Sequence, residues 1–365
     1  MFVSVIIPCY NGEAFIGQTI GSLLEQTRQA DEIIVVDDGS SDDSAGIARR
    51  FGDSVKVLSK KNEGAAIARN FGAGHAKGDA LMFLDADDVL GPTALEALVA
   101  HLERHPDGVV ACPWFRLDKA GNSWVRRPPS CPPLEKWQDY LGGWMTGWYH
   151  PPCSVLWSRT AYEKAGGWDP AVTVNDDGDH MMRALINGAE LHITDRGSAF
   201  YRRFSGEQKT ATLSGTQFTR KGRESQIYVL QKIAKILKER GMLEDYRRSL
   251  TLALIQLRLL CKEDFPDLSD RYTDLIRQYG ESGPVRAFRS VGRLFRYLGR
   301  RGGKRIRRYL GKEIPEKQNG LIGTEVTYGL STLKKTSRKG RELDIRHLDT
   351  RQNVSEVLLL RSRTL

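Results

Sequence analysis

The sequence is poor in cysteine and has no long hydrophobic run. Its 365 residues include five cysteines, an odd number, and no CxxC pair. These absences argue against a disulfide scaffold or a zinc ribbon and favour a reducing compartment. The longest later apolar stretch, residues 250–261, is far shorter than the ~20 residues that a membrane-spanning helix needs. Internal repeats are not evident.

A secretory signal is not expected either. Residues 1–10 are apolar but have no basic start and no small-residue cleavage site. Hydrophobic residues make up 40% of the chain and charged residues 27%, as in ordinary globular proteins. We therefore expect a cytoplasmic protein, with a peripheral position at the inner face of the membrane as a further option.

Charge is unevenly distributed along the chain. Residues 1–219 contain 21 Lys and Arg against 28 Asp and Glu, a net charge of −7, whereas residues 220–365 contain 34 against 17, a net charge of +17. An acidic front and a basic rear indicate two tasks. We predict a catalytic domain over 1–215, a basic helical region over 216–312 and a polar tail over 313–365, to which no structure is assigned.

Short apolar runs alternate with helical patterns over the first 110 residues. Strands are predicted at 3–7, 32–36, 55–58 and 80–84, with helices at 15–24, 44–51 and 62–76 between them. Apolar strands that alternate with helices predict an α/β fold with a mostly parallel sheet covered on both faces. Ligands of such sheets bind beyond the carboxyl ends of the strands. Further helices are predicted at 176–187, 220–240, 246–261 and 268–279, and residues 114–149 are predicted to be irregular.

The segment FLDADDV, residues 83–89, places acidic side chains after the fourth predicted strand. Mutual repulsion of Asp85, Asp87 and Asp88 would be relieved by a divalent cation, and carboxylate oxygens suit Mg²⁺ or Mn²⁺. Such a site would hold a diphosphate and neutralise its charge as it leaves. The alternative is an acidic loop that caps the next helix.

A second acidic pair, Asp37 and Asp38, follows the second predicted strand. One carboxylate there would accept the imide N–H of a uracil or bind a ribose hydroxyl. The alternative is an Asx turn with a helix cap, for which SSDDSAGIA offers several candidates.

Five segments occur in order between residues 2 and 215. They are VSVIIPCYNGE, QTRQADEIIVVDDGSSDDS, NEGAAIARNFGAGHAKGD, FLDADD, and VLWSRTAYEKAGGWDP with NDDGDHMMRALINGAEL. Together they resemble the family 2 glycosyltransferases of the GT-A fold. The resemblance implies a Rossmann-like, mostly parallel sheet flanked by helices, a nucleotide-diphosphate-sugar donor, Mn²⁺ or Mg²⁺, and inversion at the anomeric carbon.

The resemblance also implies a nucleotide-sugar site, which would contain Pro8, Tyr10, Asp37, Asp38, Arg69, Asp85 and Ala86. Pro8 and Tyr10 would line the base pocket. Asp38 would contact the uracil if the donor is a UDP-sugar, and Asp37 would support that loop.

The remaining members of this site would lie near the sugar diphosphate. Asp85 would face the ribose, with Ala86 beside it, and Asp87 would be the main metal ligand. Arg69 would approach the nucleotide.

The catalytic base is expected on a later helix. Inverting transfer needs a carboxylate that takes the proton of the acceptor hydroxyl. The family usually has Glu-Asp ahead of an Asp and an Arg, which here become Asp179 and Arg183. That register places Asp177 in the base position and Asp176 where Glu is usual, and the two could exchange roles. The alternative is a set of helix N-terminal carboxylates stabilised by the helix dipole.

Aromatic residues in the irregular middle of the chain are candidates for acceptor binding. Trp148 and His150 are weak candidates, since most tryptophans simply pack in the core. A second departure from the family lies at Phe204, where many relatives have a histidine that Phe cannot replace as a ligand. The neighbouring Arg202 or Arg203 would still clamp phosphate oxygens.

The basic rear contains an amphipathic pattern. Residues 286–312 carry eleven Lys and Arg and no acidic residue. Such a helix can lie in an anionic lipid headgroup layer, so residues 285–312 are predicted to contact a membrane surface. A bundle helix docked on the catalytic unit would have the same pattern. Nucleic-acid binding is not expected, because no recognition motif accompanies the charge.

The predicted function is transfer of a sugar, from a UDP-sugar above all, to a hydroxyl of a glycan or lipid-linked acceptor, for example in surface polysaccharide synthesis. One alternative is an inactive nucleotide-sugar-binding or adaptor protein, because the expected Glu and His are missing. A dinucleotide-dependent oxidoreductase is a weaker alternative, since PCYNGEAF is not the GxGxxG turn it needs.

Overall fold

A seven-stranded sheet forms the centre of the molecule. The computed structural model describes residues 1–121, 123–204 and 217–280. The strands of the central sheet are β1 (Val3–Cys9), β2 (Glu32–Asp37), β3 (Lys56–Ser59), β4 (Ala80–Phe83), β6 (Val109–Ala111), β9 (Val155–Ser158) and β10 (Leu191–Ile193). Their order is β10-β6-β9-β4-β1-β2-β3, and β9 alone runs against its two neighbours. The predicted α/β class with a mostly parallel sheet is confirmed.

The strand register places the candidate loops at one edge of this sheet. β1 pairs in parallel with β2 from Ser4 opposite Glu32 to Cys9 opposite Asp37. It pairs in parallel with β4 on its other side. Because these strands run in the same direction, the loops that follow their carboxyl ends meet at the same edge.

Helices cover both faces of the sheet. In the front part of the chain they are α1 (Ile16–Leu24), α2 (Ser44–Arg49), α3 (Ala65–His75), α4 (Ala94–Leu102), α5 (Tyr140–Met145), α6 (Arg159–Ala165) and α7 (Asp176–Ile186). Short 3₁₀ turns occupy Gly52–Ser54 and Pro152–Ser154. α3 approaches β1 so closely that a Cβ on Gly72 would lie 2.4 Å from Ile6 Cγ2, so only glycine fits there.

A smaller sheet corrects the prediction that residues 114–149 are irregular. It contains β5 (Val89–Leu90), β11 (Ala199–Arg203), β7 (Trp114–Ala120) and β8 (Ser123–Arg127), in that order. β7 and β8 form an antiparallel hairpin, and Gly121 in its turn has a φ of +57°. α5 supplies a further helix in the same stretch. The hairpin was not predicted because the segment is rich in Pro and Trp, and because charged residues interrupt the alternation of polar and apolar side chains in its strands.

The rear part of the described chain is helical, as predicted. α8 (Arg220–Glu239), α9 (Leu243–Cys261) and α10 (Pro266–Tyr279) follow one another with short connections. Buried residues of α8, such as Ile227 and Ile233, belong to the same hydrophobic core as Leu81 of the sheet and Met181 of α7. The described helices after residue 215 therefore share the core of the front part.

Two predictions concern residues outside the described ones. The basic segment 285–312 and the tail 313–365 both lie there, so their roles stay predictions. The boundary near residue 215 also stays a prediction. In the part of the chain that the structure describes, no helix is long and apolar enough to cross a membrane.

Candidate catalytic site

The loop after β4 separates its three carboxylates. Asp85 and Asp87 are half-buried, whereas Asp88 is fully buried. The Asp88 backbone N–H donates to the Asp85 carbonyl over 3.0 Å, which makes the loop a tight turn. Burial, together with the nearby Asp85 charge, raises the pKa of Asp87 to about 6. The predicted metal ligand thus lies where a negative charge is disfavoured until a cation balances it.

Asp88 is anchored to the smaller sheet. Its Oδ1 accepts the backbone N–H of Arg202 over 2.8 Å. Burial first, and then the charges of Asp87 and Asp85, raise its pKa well above the ordinary value. Asp88 therefore fixes the loop in place, and only Asp85 and Asp87 are accessible.

Arg69 on α3 joins two acidic loops. Its guanidinium is 3% exposed and lies 2.6 Å from Asp85 Oδ1 and 2.6 Å from Asp176 Oδ2. The same guanidinium lies 4.4 Å from the centre of the Trp168 ring. Although burial opposes the charge, the two carboxylates raise the pKa of Arg69 overall. The loop after β4 and the start of α7 are thereby held side by side.

The three acids at the start of α7 have different surroundings. Asn175 precedes them with a φ of +66°, a left-handed turn that leads into the helix. Asp176 pairs with Arg69, and the fully buried Asp179 lies 2.9 Å from Arg183 and 2.6 Å from Lys232 Nζ. Helix capping alone does not account for these separate ion pairs.

Asp177 differs from its neighbours. Its Oδ1 accepts the backbone N–H of Gly178 over 2.8 Å. In the described part of the chain no Lys, Arg or His lies within ion-pair distance of this carboxylate. Burial, with a further contribution from the Asp176 charge, raises its pKa to about 7. The raised pKa makes the Asp177 carboxylate a stronger proton acceptor than an ordinary aspartate.

Trp168 holds α3 and α7 in register. Its backbone N–H donates to Asn70 Oδ1 over 2.8 Å, and Asn70 Nδ2 donates back to its carbonyl over 2.7 Å. The indole also stacks on His180 of α7, with ring centres 4.7 Å apart and planes 3° apart. Arg69 and α7 are thus positioned by one aromatic residue.

The predicted base pocket lies after β1 and β2. Tyr10 is 55% exposed, and Pro8 is half-buried on β1 opposite Val36. Asp37 Oδ1 accepts the backbone N–H of Ser40 over 3.1 Å. The structure thus places Asp37 as a support of the loop that follows β2.

Asp38 has partners that the sequence did not indicate. Its carboxylate accepts from Lys60 Nζ over 2.8 Å and from the backbone N–H of Gly64 over 2.7 Å. The backbone N–H of Glu63 adds a contact of 3.1 Å. Asp38 closes the turn into α3 in this way, and its contact with a uracil stays a prediction.

Arg202 lies underneath the acidic loop. Its side chain is 2% exposed, and its Nη1 donates to the Asp87 carbonyl over 2.8 Å while Nη2 donates to Gln18 Oε1. Arg202 thus holds the backbone of the loop that follows β4.

Phe204 packs against Phe15 and Trp124, with ring centres 5.2 and 5.6 Å away. An aromatic cluster occupies the position where a histidine was expected.

The candidate acceptor residues pack among other aromatic side chains. Trp148 stacks on Tyr140 with ring centres 5.4 Å apart. His150 is 8% exposed, lies 5.2 Å from the Trp148 ring, and has a pKa lowered to about 4 by burial. His150 is therefore an uncharged, packed residue near neutral pH. Contacts of Trp148 and His150 with an acceptor stay predictions.

Ala86 is half-buried, and its carbonyl accepts from the Thr19 hydroxyl over 2.8 Å.

Sequence reasoning missed several contacts. Among them are Lys60 with Asp38, Trp168 with Arg69, and Lys232 with Asp179. Lys60 follows a predicted strand end and was a detectable candidate. Lys232 gave no signal, because it lies in a helix more than fifty residues from its partner.

Comparison with known proteins gives this geometry a family context. Residues 4–166 match the family described as Glycosyl transferase family 2. An uncharacterized glycosyltransferase of Rickettsia felis is 30% identical over 218 residues, covering 58% of this chain and 36% of that protein. The chain thus spans about a third of that relative's length.

Two solved structures are similar in fold to most of this chain. S. aureus TarS in complex with UDP-GlcNAc has a TM-score of 0.59 and 18% identity, with 76% of this chain and 82% of that chain covered. The mannosyltransferase PcManGT of Pyrobaculum calidifontis, in complex with GDP-Man and Mn²⁺, has a TM-score of 0.52 and 16% identity, with 85% and 83% covered. At these identities the likeness establishes the fold, and the predicted GT-A type is confirmed.

Proposed function

We propose, from the match of residues 4–166 to glycosyl transferase family 2, that this protein transfers a sugar from a nucleoside-diphosphate donor to an acceptor hydroxyl with inversion. One observation carries the proposal. Arg69 lies 2.6 Å from both Asp85 and Asp176 and thereby holds the loop after β4 beside the start of α7. Asp87 and Asp177, one from each of these segments, remain available for chemistry.

Asp177 is the proposed base. A group with a pKa of about 7 is both partly ionised at neutral pH and basic enough to accept a proton. The neighbouring Asp176 is held by Arg69, which makes it the weaker candidate. Asp177 would take the proton of the acceptor hydroxyl as its oxygen attacks the anomeric carbon and the bond to the diphosphate breaks.

The carboxylates after β4 fit a divalent metal. Asp85 and Asp87 offer oxygen ligands only, and the charge of Asp85 helps to raise the pKa of Asp87, a repulsion that a cation would relieve. Asp87 would be the main ligand of Mn²⁺ or Mg²⁺, with Asp85 facing the ribose. When bound, such an ion would neutralise charge on the departing diphosphate. Arg202 would hold the Asp87 backbone in place through its 2.8 Å bond.

The donor is proposed to be a UDP-sugar. Support comes from TarS, which binds UDP-GlcNAc. Pro8, Tyr10 and Asp38 are proposed to form the base pocket. PcManGT, which binds GDP-Man, shows that the same fold also accommodates a guanosine nucleotide. The acceptor is proposed to be a glycan or a lipid-linked glycan in surface polysaccharide synthesis, with residues 285–312 at the membrane surface.

The proposal is tested by ligand binding and turnover. We expect UDP to bind more tightly with Mn²⁺ than with a chelator, measured by isothermal titration, and a panel of nucleotide sugars to identify the donor by thermal shift. Turnover of that donor supports the transferase, whereas binding without turnover supports the inactive adaptor.

A matched pair of variants tests the metal site. Asp87→Ala is expected to abolish the gain in UDP affinity from Mn²⁺, because the main ligand is gone. Asp53→Ala, an exposed acid on a surface turn, serves as the control and should bind normally. Unchanged Mn²⁺-dependent affinity in Asp87→Ala would refute the assignment.

A further inference from the structure

Three histidines from separate parts of the chain lie together at one end of the central sheet. His101 is in the last turn of α4, His105 is in the turn that follows, and His192 is on β10. One ring nitrogen of each lies within 4.8 Å of those of the other two. All three side chains are half-buried. No part of the proposed glycosyl-transfer mechanism uses them.

The topology separates this cluster from the candidate catalytic site. The turn after α4 leads into the amino end of β6, and His192 is opposite Val110 of β6. β6 and β4 both pair antiparallel with β9, so they run in the same direction. The catalytic carboxylates follow the carboxyl end of β4, whereas the turn with His105 precedes the amino end of β6. The two groups therefore lie at opposite edges of the sheet.

Gly108 allows the turn to pack directly on β10. A Cβ at this position would lie 3.1 Å from His192 Cδ2 and 3.2 Å from the His105 carbonyl oxygen. The backbone N–H of Gly108 donates to that carbonyl over 2.9 Å, and the N–H of Val109 donates to the Glu190 carbonyl over 2.8 Å. The His105 and His192 rings consequently stack with centres 3.6 Å apart. The backbone thus fixes the proximity of these two rings.

We propose that His101, His105 and His192 bind one Zn²⁺ ion. Imidazole nitrogen is a preferred ligand of zinc, and three protein ligands with a water complete a tetrahedral shell. Zn–N bonds of about 2.0–2.1 Å place the ligand nitrogens about 3.3 Å apart. His105 and His192 would have to turn out of their near-parallel stack so that one nitrogen of each points at the ion. Each ligand nitrogen would move inward by up to about 1 Å from a separation of 4.8 Å.

Two charged neighbours act on the proposed site in opposite ways. Glu190 Oε2 lies 3.4 Å from His192 Nε2, so it can orient this ring while the other nitrogen binds the ion, as is typical of zinc-binding histidines. Arg104 Nη2 lies 3.0 Å from His101 Nδ1 and competes for that ring.

The test is a zinc titration of the full chain, freed of any affinity tag and treated with a chelator. We expect one Zn²⁺ to bind per chain near neutral pH and to raise the melting temperature. Losing one ligand in His192→Ala should weaken binding by at least about tenfold, since even supporting residues of zinc sites contribute that much. Arg104→Gln should bind Zn²⁺ more tightly than the natural sequence, because the competing cation is gone.

Two controls separate this site from other zinc binding. His75→Ala removes an exposed histidine of α3 and should leave the affinity unchanged. Asp87→Asn should also retain the zinc site, so the inference stands or falls independently of the proposed glycosyl transfer. If His192→Ala unfolds by circular dichroism, His101→Ala replaces it. Equal zinc affinity in the natural sequence and in His192→Ala or His101→Ala, or no zinc binding at all, would overturn the proposal.

Discussion

At the scale of single residues, the acids of the candidate site differ in what neutralises them. The sequence placed Asp85, Asp87, Asp176 and Asp177 after a strand and at a helix start, and all four are where those patterns indicate. It left open which of Asp176 and Asp177 would act as the base. The structure bears on that choice through Arg69, whose reach from α3 depends on tertiary packing rather than on local sequence.

Replacing the proposed base should remove turnover but not donor binding. In Asp177→Asn the side chain keeps its size and loses its ability to accept a proton, so we expect kcat to fall by about 10²–10⁴. UDP affinity with Mn²⁺ should stay close to that of the natural sequence. A steady-state assay of UDP release measures kcat, and isothermal titration measures the UDP affinity. Near-normal turnover in Asp177→Asn would move the base elsewhere.

The pH dependence of the activity should reflect the ionisation of Asp177. The base must be ionised, and its pKa is about 7, so kcat/KM should rise as the pH is raised through neutrality. In Asp176→Asn the acidic limb should move to lower pH, because the neighbouring negative charge that raises the pKa of Asp177 is gone. Profiles of kcat/KM against pH measure both effects. A limb that stays in place in Asp176→Asn would contradict this assignment.

At the scale of helices and strands, apolar periodicity identified β1, β2 and β4 of the core and missed the smaller sheet. These core strands are mostly hydrophobic and were easily recognised. The hairpin of β7 and β8 carries Arg116, Lys119 and Arg126, and its alternation was hidden among prolines and tryptophans. A Gly-Asn pair between two runs of strand-forming residues was the local signal for this turn.

The contact between α8 and α7 should contribute to stability. Lys232 lies 2.6 Å from both Asp169 and the fully buried Asp179. Lys232→Met should lower the free energy of unfolding by about 1–3 kcal/mol, because a buried carboxylate loses one of its two cations. Urea denaturation measures this change. Lys235→Met, on the same helix with a 71% exposed side chain, is the control and should have little effect.

At the scale of the whole molecule, the order of the five sequence segments predicted the fold. The excess of basic residues in the rear part of the chain predicted contact with a membrane surface. The match to five ordered blocks covered the front part of the chain, and the structure adds that the described rear helices share its core. Composition could not foresee this sharing, because an amphipathic helix does not specify which surface its apolar face contacts. The basic segment 285–312 lies outside the described residues.

Membrane contact through that segment is testable in the full chain. We expect sedimentation with vesicles that contain phosphatidylserine, and loss of this binding as salt is raised, because the attraction is electrostatic. Reversing three charges with Arg293→Glu, Arg296→Glu and Arg300→Glu should abolish it. Neutral phosphatidylcholine vesicles are the control. Equal binding to both kinds of vesicle would contradict the proposed role of the basic charge.

The ion pair of Lys232 with Asp179 has a practical consequence for anyone who dissects this protein. A fragment trimmed to the family match would end before α7 and so contain neither Asp176 nor Asp177. One cut near residue 215 would keep both acids but strip Lys232 from the first turn of their helix and uncover apolar surface in the core. The smallest piece expected to retain the proposed activity therefore extends through α10, well past residue 166, where the family match ends.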